Sequence, residues 1–150
     1  MTLEFIDRRR GSADRYSWMP PFDVEVAYDN PQWWDEVPYH LDDPWSVQVL
    51  EDGVEVARVQ FAEGGDVNPT YTGVPVVGAE RLMIHRIEVA IAARGRKIGT
   101  QVIRGVEERN PDRRLIAYSE GADGFWASLG WERYIHPTKR SRPLFIQPPR

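Results

Sequence analysis

The order of hydrophobic and polar residues divides the chain into a first part without a clear period and a second part with regular elements. Residues 2–7 alternate weakly, which indicates a first strand. From 11 to 44 the chain is rich in proline, aspartate and aromatic residues, so we expect loops and at most short helices there. Segments 45–50 and 54–61 alternate with period two around Asp52-Gly53, a strong turn signal, and therefore predict a β-hairpin.

The rest of the chain alternates between strand and helix patterns. After a Gly/Pro-rich loop, we predict a strand at 81–90, a helix at about 98–109, a strand at 114–119, a helix near 122–129 and a final hairpin of 131–136 and 143–147. A strand–helix–strand unit within mostly antiparallel pairing predicts an α/β fold whose sheet is mixed, as in α+β proteins. Its central sheet is mixed and mostly antiparallel, and helices flank it. We expect residues 1–150 to form one domain.

Composition narrows the classes of function. Hydrophobic residues make up 41% of the chain, which argues against disorder, and no apolar run approaches the ~20 residues of a membrane span. The net charge of −4 disfavours nucleic-acid partners. No pair of the three histidines has helical metal-ligand spacing, so no metal site is predicted. The absence of cysteine and of an apolar secretory leader predicts a cytoplasmic protein.

The segment from Ile87 to Thr100 carries the clearest chemistry. A β-branched strand runs into a short loop with Arg94, Gly95, Arg96 and Lys97, and an amphipathic helix follows at once. Free N–H groups at the start of a helix, together with basic side chains, form a site for a phosphate or pyrophosphate. The spacing matches neither a P-loop nor the G-x-G-x-x-G dinucleotide fingerprint.

This segment resembles motif A of the GNAT superfamily of N-acetyltransferases, Arg/Gln-x-x-Gly-x-Gly/Ala between a strand and a helix. Arg94 takes the first position and Gly99 the last, while Lys97 stands where the family has its middle glycine. Phe125-Trp126, followed by Leu129-Gly130-Trp131, resembles the family's aromatic pair and Gly-Phe in spacing. The resemblance covers residues from about 45 to 136.

The resemblance implies a GNAT-like fold and an acetyl-CoA or other acyl-CoA ligand. The pyrophosphate would bind the loop and helix start, and pantetheine would pair with the strand before them like an added β-strand. The implied cofactor-binding residues are Ile87, Val89, Arg94, Gly95, Arg96, Lys97, Ile98, Gly99, Thr100, Ser119 and Phe125. The Val89 N–H would polarise the thioester carbonyl.

Transfer to an amine also needs a base. Alternation places His85 and Met83 on the side of the strand that carries Val89, and of these only histidine can take a proton. Glu88 is the second candidate base, although alternation points it to the opposite face unless a bulge intervenes. The family's usual acid, a tyrosine, is replaced by Trp126, which leaves Tyr118 and Tyr134 as candidate acids.

The resemblance thus implies an N-acetyltransferase that moves an acetyl group to a primary amine of a small molecule or protein by direct attack. The alternatives are a catalytically silent acyl-CoA-binding or regulatory module, and a protein-interaction module that uses the aromatic residues of 1–44. Those same aromatic residues would form the acceptor wall of an enzyme. Exposed edge strands favour a homodimer.

Overall fold

The computed structural model describes residues 2–150. Its helices and strands lie close to the positions predicted from the periodicity of hydrophobic residues. The strands are β1 (Leu3–Arg9), β2 (Trp45–Glu51), β3 (Val54–Ala62), β4 (Arg81–Val89), β5 (Arg114–Tyr118), β6 (Glu132–Tyr134) and β7 (Leu144–Ile146). The helices are α1 (Ile98–Arg109) and α2 (Asp123–Ser128), and short 3-10 turns lie at Pro31–Trp33 and Ile91–Ala93. No helix within the described residues is long and apolar enough to cross a membrane.

All of these strands join one sheet in the order β1-β2-β3-β4-β5-β7-β6. Strands β4 and β5 are parallel, and every other neighbouring pair is antiparallel. The parallel pair is joined through α1, as a strand–helix–strand crossover requires. The predicted mixed, mostly antiparallel sheet with flanking helices is confirmed.

Strand β4 carries a bulge at His85. Its pairing with β3 passes from Gln60–Arg86 directly to Phe61–Ile84, so β4 contains one extra residue at this point. Pairing between β4 and β5 covers only Arg81 to Ile84 of β4. From His85 to Val89 the strand therefore continues with its β5 edge unpaired, and the sheet opens in a V whose vertex lies at His85.

The bulge corrects one prediction from alternation. Residues opposite each other in an antiparallel pair share a face, so Ile84, opposite Phe61, lies on the face of Ile87 and Val89. Met83 lies on the other face, opposite Ala62. The expectation that Met83 shares a side with Val89 was therefore wrong, because simple alternation does not hold across an inserted residue.

One face of the sheet, here called the helix face, packs against α1 and α2. The buried side chains of α1, among them Val102, Ile103 and Val106, join the main hydrophobic core with Val59 of β3. A Cβ on Gly105 would overlap the ring of Phe5 of β1, with Cε1 only 2.7 Å away, which shows how closely helix and sheet approach. Burial of this apolar surface is the main force that holds the layers together.

The opposite face, here called the polar face, is covered by residues 11–44, the N-terminal segment, over β2 to β4. Over β5 and β7 the same face carries a second hydrophobic cluster, which includes Tyr71 and Val77. Arg58 and Glu55 form a buried ion pair of 2.8 Å on this face. The Tyr28 hydroxyl donates to Glu55 (2.8 Å), Arg58 donates to the Asp23 carbonyl (2.8 Å), and the guanidinium lies 4.6 Å from the centre of the Phe22 ring. Burial, followed by the Glu55 carboxylate, raises the pKa of Tyr28 well above its ordinary value, so the phenol remains a donor.

The N-terminal segment was predicted to contain loops and at most short helices, and this is confirmed. Its one described helical piece is the 3-10 turn at Pro31–Trp33. Its aromatic residues are held by hydrogen bonds to a polar sheet face as well as by apolar packing. The segment is therefore a fixed layer of the fold.

Candidate active site

The V between β4 and β5 opens into a cavity of about 670 Å³, a size typical of small-molecule sites. It brings together most of the residues singled out in the sequence. These are His85, Ile87, Glu88, Val89, Arg94, Gly95, Lys97, Ile98, Gly99, Thr100 and Phe125. They come from the unpaired length of β4, the following loop, the start of α1, and α2. One continuous cavity thus joins the anion loop to the candidate bases.

The anion end of the cavity is the N-terminus of α1. Lys97 precedes the helix in the left-handed conformation (φ 58°), and no side chain caps the helix start. The first N–H groups of α1, including those of Gly99 and Thr100, thus lack the carbonyl partners that later residues of a helix have. With the helix dipole, they form a positive site that is open to an anionic ligand.

Gly99 permits a close contact at this end. A Cβ on Gly99 would lie 3.1 Å from Phe125 Cε1 and 3.6 Å from Val89 Cγ2. The first turn of α1 therefore lies directly against both the cavity wall of β4 and the aromatic ring of α2. A larger residue would push Phe125 aside or fill the anion site.

Two of the basic side chains in the loop already have acidic partners. Arg94 forms an ion pair with Asp29, and Arg96 donates to Glu51 at 2.9 Å. Arg96 does not line the cavity. Among the basic side chains of this loop, Lys97 lines the cavity and has no acidic partner within residues 2–150.

Ser119 also lies apart from the cavity lining. It is buried, and its Oγ accepts the Ala122 N–H at 3.0 Å, just before α2. Its contact therefore orders the turn from β5 into α2. The neighbouring Glu120 lines the cavity and forms an ion pair with Arg142.

His85 lies at the vertex of the V, on the bulge itself. Its side chain reaches the surface, but the partly buried environment of the ring lowers the pKa of His85 below its ordinary value near 6.5. Partial burial is the largest cause, followed by the positive charges of Arg86 and Arg142. A histidine with a lowered pKa is neutral at pH 7 and can accept a proton.

Glu88 lies on the polar face, as alternation predicted, and is buried. Its Oε2 accepts two hydrogen bonds from Asn30, one from the backbone N–H (3.0 Å) and one from Nδ2 (2.9 Å). Its Oε1 accepts the indole N–H of Trp34 at 2.9 Å. The carboxylate thus anchors the N-terminal segment to β4 while part of it faces the cavity.

The candidate acids separate in space. Tyr134 lies on the edge strand β6, outside the cavity lining, and its hydroxyl donates to Glu132 at 2.9 Å. The inclusion of Tyr134 in the catalytic set is therefore corrected, because the whole of strand β7 lies between β6 and β5. Tyr118 does line the cavity, and its hydroxyl accepts the Asn68 N–H at 3.0 Å. Trp126 packs 5.0 Å from Trp131 in the core.

Sequence reasoning missed Arg86, which lines the cavity beside His85. Its Nη1 donates to the Trp33 carbonyl at 2.8 Å, and its guanidinium lies 5.8 Å from the centre of the Trp33 ring. Trp33 also lines the cavity, as an aromatic acceptor wall would. The position of Arg86 next to His85 could have pointed to it. The direction of the Arg86 side chain, however, depends on the bulge in β4, which the sequence does not show.

Comparison with known proteins gives a result at the level of structure. No family model and no curated protein sequence matches the chain. AtaT, solved in complex with acetyl-methionyl-tRNAfMet, is similar with a TM-score of 0.63 at 10% identity, over 96% of this chain and 94% of that one. Escherichia coli ElaA is similar with a TM-score of 0.55 at 17% identity, over 98% of this chain and 100% of that one.

A third similar structure was solved with coenzyme A and L-arginine. It is N-acetylglutamate synthase from Neisseria gonorrhoeae, with a TM-score of 0.50 at 12% identity over 68% of this chain. This chain spans 24% of that enzyme, 64% of an acetyltransferase from Thermus thermophilus and 58% of the PaiA N-acetyltransferase from Thermoplasma acidophilum. At these identities the similarity shows the fold alone.

Proposed function

Because the chain has the fold of the GNAT N-acetyltransferases, we propose that it transfers an acetyl group from acetyl-CoA, or another acyl group from its CoA thioester, to a primary amine. The observation that carries the proposal is the unpaired edge of β4, which runs from the vertex at His85 to the positive start of α1 within one cavity. An extended ligand with an anion at one end and a reactive group at the other fits this shape.

Backbone direction supports the placement of the thioester. Successive N–H groups of a strand point to opposite edges. The Ala90 N–H donates to the Val56 carbonyl on the β3 side (2.8 Å), so the preceding N–H, that of Val89, points into the V. The pantetheine amides would pair with this edge, and the Val89 N–H would donate to the thioester carbonyl.

The chemistry then needs one proton acceptor and one leaving group. The amine nitrogen attacks the thioester carbon, its proton passes to the neutral imidazole of His85, and the C–S bond breaks. The thiolate leaves without a strong acid because its conjugate thiol has a pKa of about 8.5, and solvent returns its proton. Burial raises the pKa of Tyr118, so its hydroxyl stays protonated and is a second proton source at the cavity wall.

A catalytically silent acyl-CoA-binding module remains the second candidate. The replacement of the family's tyrosine by Trp126, whose indole packs in the core beside Trp131, favours it. The two candidates agree on CoA binding and differ in turnover alone.

The test is release of free CoA thiol from acetyl-CoA, with mass spectrometry of the products, across a panel of amines. The panel contains amino acids, polyamines, peptides with free N-termini, and an aminoacyl-tRNA, the last because AtaT was solved with an acetylated one. Acceptor-dependent thiol release that His85→Gln abolishes supports the enzyme. CoA binding without turnover of any acceptor would favour the silent module instead.

A further inference from the structure

The polar-face end of the cavity carries charges that the transfer step itself does not use. Arg86 and Glu88 are two residues apart on β4 and lie on the same face, opposite Gln60 and Arg58 of β3. Two residues of a strand span about 6.6 Å. A cationic and an anionic side chain thus stand close together at the mouth of the V, beside His85.

Arg86 keeps unused hydrogen-bond capacity. Its only described hydrogen bond runs from Nη1 to the Trp33 carbonyl, and within residues 2–150 it forms no ion pair. The other arginine in the cavity lining differs, because Arg94 has the Asp29 carboxylate as its partner. A guanidinium has five N–H donors in a fixed fork that matches a carboxylate. The Trp33 carbonyl holds this fork in place while the remaining donors stay available.

Glu88 offers the complementary group. Its Oε2 already accepts two hydrogen bonds from Asn30, but its Oε1 accepts only one, from Trp34. A carboxylate oxygen has two acceptor sites, so Oε1 can take one more N–H. His85, on the adjacent bulge, supplies the base for the same amine.

From this juxtaposition we infer that the acceptor is an amine that also carries a carboxylate, as a free amino acid does. The carboxylate binds the Arg86 fork, and the amine lies between Glu88 and His85 with its lone pair directed at the thioester. The inference rests on the proposed transfer reaction and names the acceptor class of that same site. Arg86 is thereby a specificity-determining residue, and Trp33 forms the wall against which the acceptor side chain packs.

The experiment compares acceptors that differ in one group. Each amino acid is assayed beside its carboxamide and its decarboxylated amine, with thiol release as the readout. We expect kcat/KM for the free acid to exceed that of the carboxamide by about tenfold or more, since a hydrogen bond to a charged group is worth more than one to a neutral group. Equal or better use of the carboxamides or of the aminoacyl-tRNA would overturn the inference.

Variants separate recognition from folding. Arg86→Gln should raise KM for the free acids by about tenfold or more and leave the carboxamides within about twofold, and Arg86→Lys should restore part of the loss. Arg140→Gln, which removes an exposed charge outside the cavity lining, is the matched control and should change neither. An equal loss for acids and carboxamides in Arg86→Gln would show a merely structural role and would overturn the inference.

The failure of transfer and the failure of this inference are distinguishable. If acetyl-CoA binds but no acceptor turns over, the proposed reaction fails. Titration of free amino acids and their carboxamides onto the CoA-loaded protein then decides the inference. Binding of the free acid that Arg86→Gln weakens supports it, and equal or absent binding of both overturns it.

Discussion

At the scale of single residues, Lys97 adopts a backbone conformation that glycine adopts freely. Its φ of 58° directs the chain into α1 so that the first N–H groups face the cavity. Non-glycine residues in this region are disfavoured by contact between Cβ and the backbone. The GNAT motif that this loop resembles has a glycine at this position, and here a lysine adopts the glycine-like conformation and adds a positive charge.

This conformation predicts a difference between two substitutions that both remove the charge. Lys97→Gly should be more stable than Lys97→Ala by about 1 kcal/mol in free energy of unfolding, because only glycine avoids the left-handed cost. Urea unfolding of the two variants measures the difference. A Lys97→Ala protein that is as stable as Lys97→Gly would contradict the conformation described for this loop.

His85 predicts a pH dependence of activity. Because partial burial and the neighbouring charges of Arg86 and Arg142 lower the pKa of His85, the imidazole stays neutral through pH 7 and becomes protonated only below its ordinary value near 6.5. We expect the titration of His85 to leave kcat/KM with the best acceptor unchanged above pH 6.5. As the pH decreases through the lowered pKa of His85, kcat/KM should fall. His85→Gln should lose this acidic limb together with most of the rate, about 10²-fold or more.

A pH profile measured over the acidic range checks this directly, with His136→Gln as the control. His136 is a half-buried histidine outside the cavity lining that bonds to Thr138 within its own turn. An acidic limb that persists unchanged in His85→Gln would assign the base to another residue.

At the scale of elements, α1 and β1 approach so closely that a methyl group does not fit between them. Three ring atoms of Phe5 would lie within 3.0 Å of a Cβ on Gly105. Replacement of a helix-interior glycine by alanine ordinarily stabilises a helix by about 1 kcal/mol. Here the displaced ring should reverse that sign.

We therefore expect Gly105→Ala to lower the free energy of unfolding by about 1 kcal/mol or more in the natural sequence. In a Phe5→Ala background the same change should stabilise the protein, because the obstructing ring is gone. Urea unfolding of the four proteins completes the double-mutant cycle. Stabilisation by Gly105→Ala in both backgrounds would contradict the close packing.

The N-terminal segment depends on Glu88 for its attachment to β4. Glu88→Ala leaves two half-buried donors of Asn30 and the buried indole N–H of Trp34 without their acceptor, at about 1–3 kcal/mol for a fully buried unsatisfied group and less for a half-buried one. We expect a loss of about 3 kcal/mol in unfolding free energy and faster proteolysis within residues 11–44. Glu25→Ala, an exposed carboxylate in the same segment, should change stability by less than about 0.5 kcal/mol. Unchanged protease resistance in Glu88→Ala would contradict this attachment.

Most elements could be predicted from the sequence because their signals are local. The turn at Asp52-Gly53 and the apolar face of α1 each lie within a few residues. The packing of the N-terminal segment on the sheet could not be predicted, since it depends on partners distant in sequence. Glu88, for example, lies 58 residues away from Asn30. The bulge at His85 is likewise visible only in the register with β3, and for that reason Arg86 was missed. Tyr134 lies on the same face as Tyr118, and it was misplaced because the sequence does not show that β7 pairs between β5 and β6 and so holds Tyr134 away from the cavity.

At the scale of the whole molecule, one parallel pair in an otherwise antiparallel sheet creates the cavity. β5 turns away after Tyr118 into α2, while β4 continues to Val89 and delivers the loop of α1. The helix face then supplies the anion site and the polar face supplies the charged acceptor groups. The two halves of the proposed reaction thus meet at one vertex, at His85.

The central claim is that this V holds an acyl-CoA, and isothermal titration of the purified protein with acetyl-CoA tests it most directly. We predict micromolar binding by the natural sequence and none by Gly99→Glu, which places negative charge at the start of α1. Gly99→Ala is the control for packing, because its Cβ presses on Phe125 without adding charge, and it should retain binding within about tenfold. With folding verified by circular dichroism, no binding by the natural protein, or equal binding by Gly99→Glu, would contradict the claim.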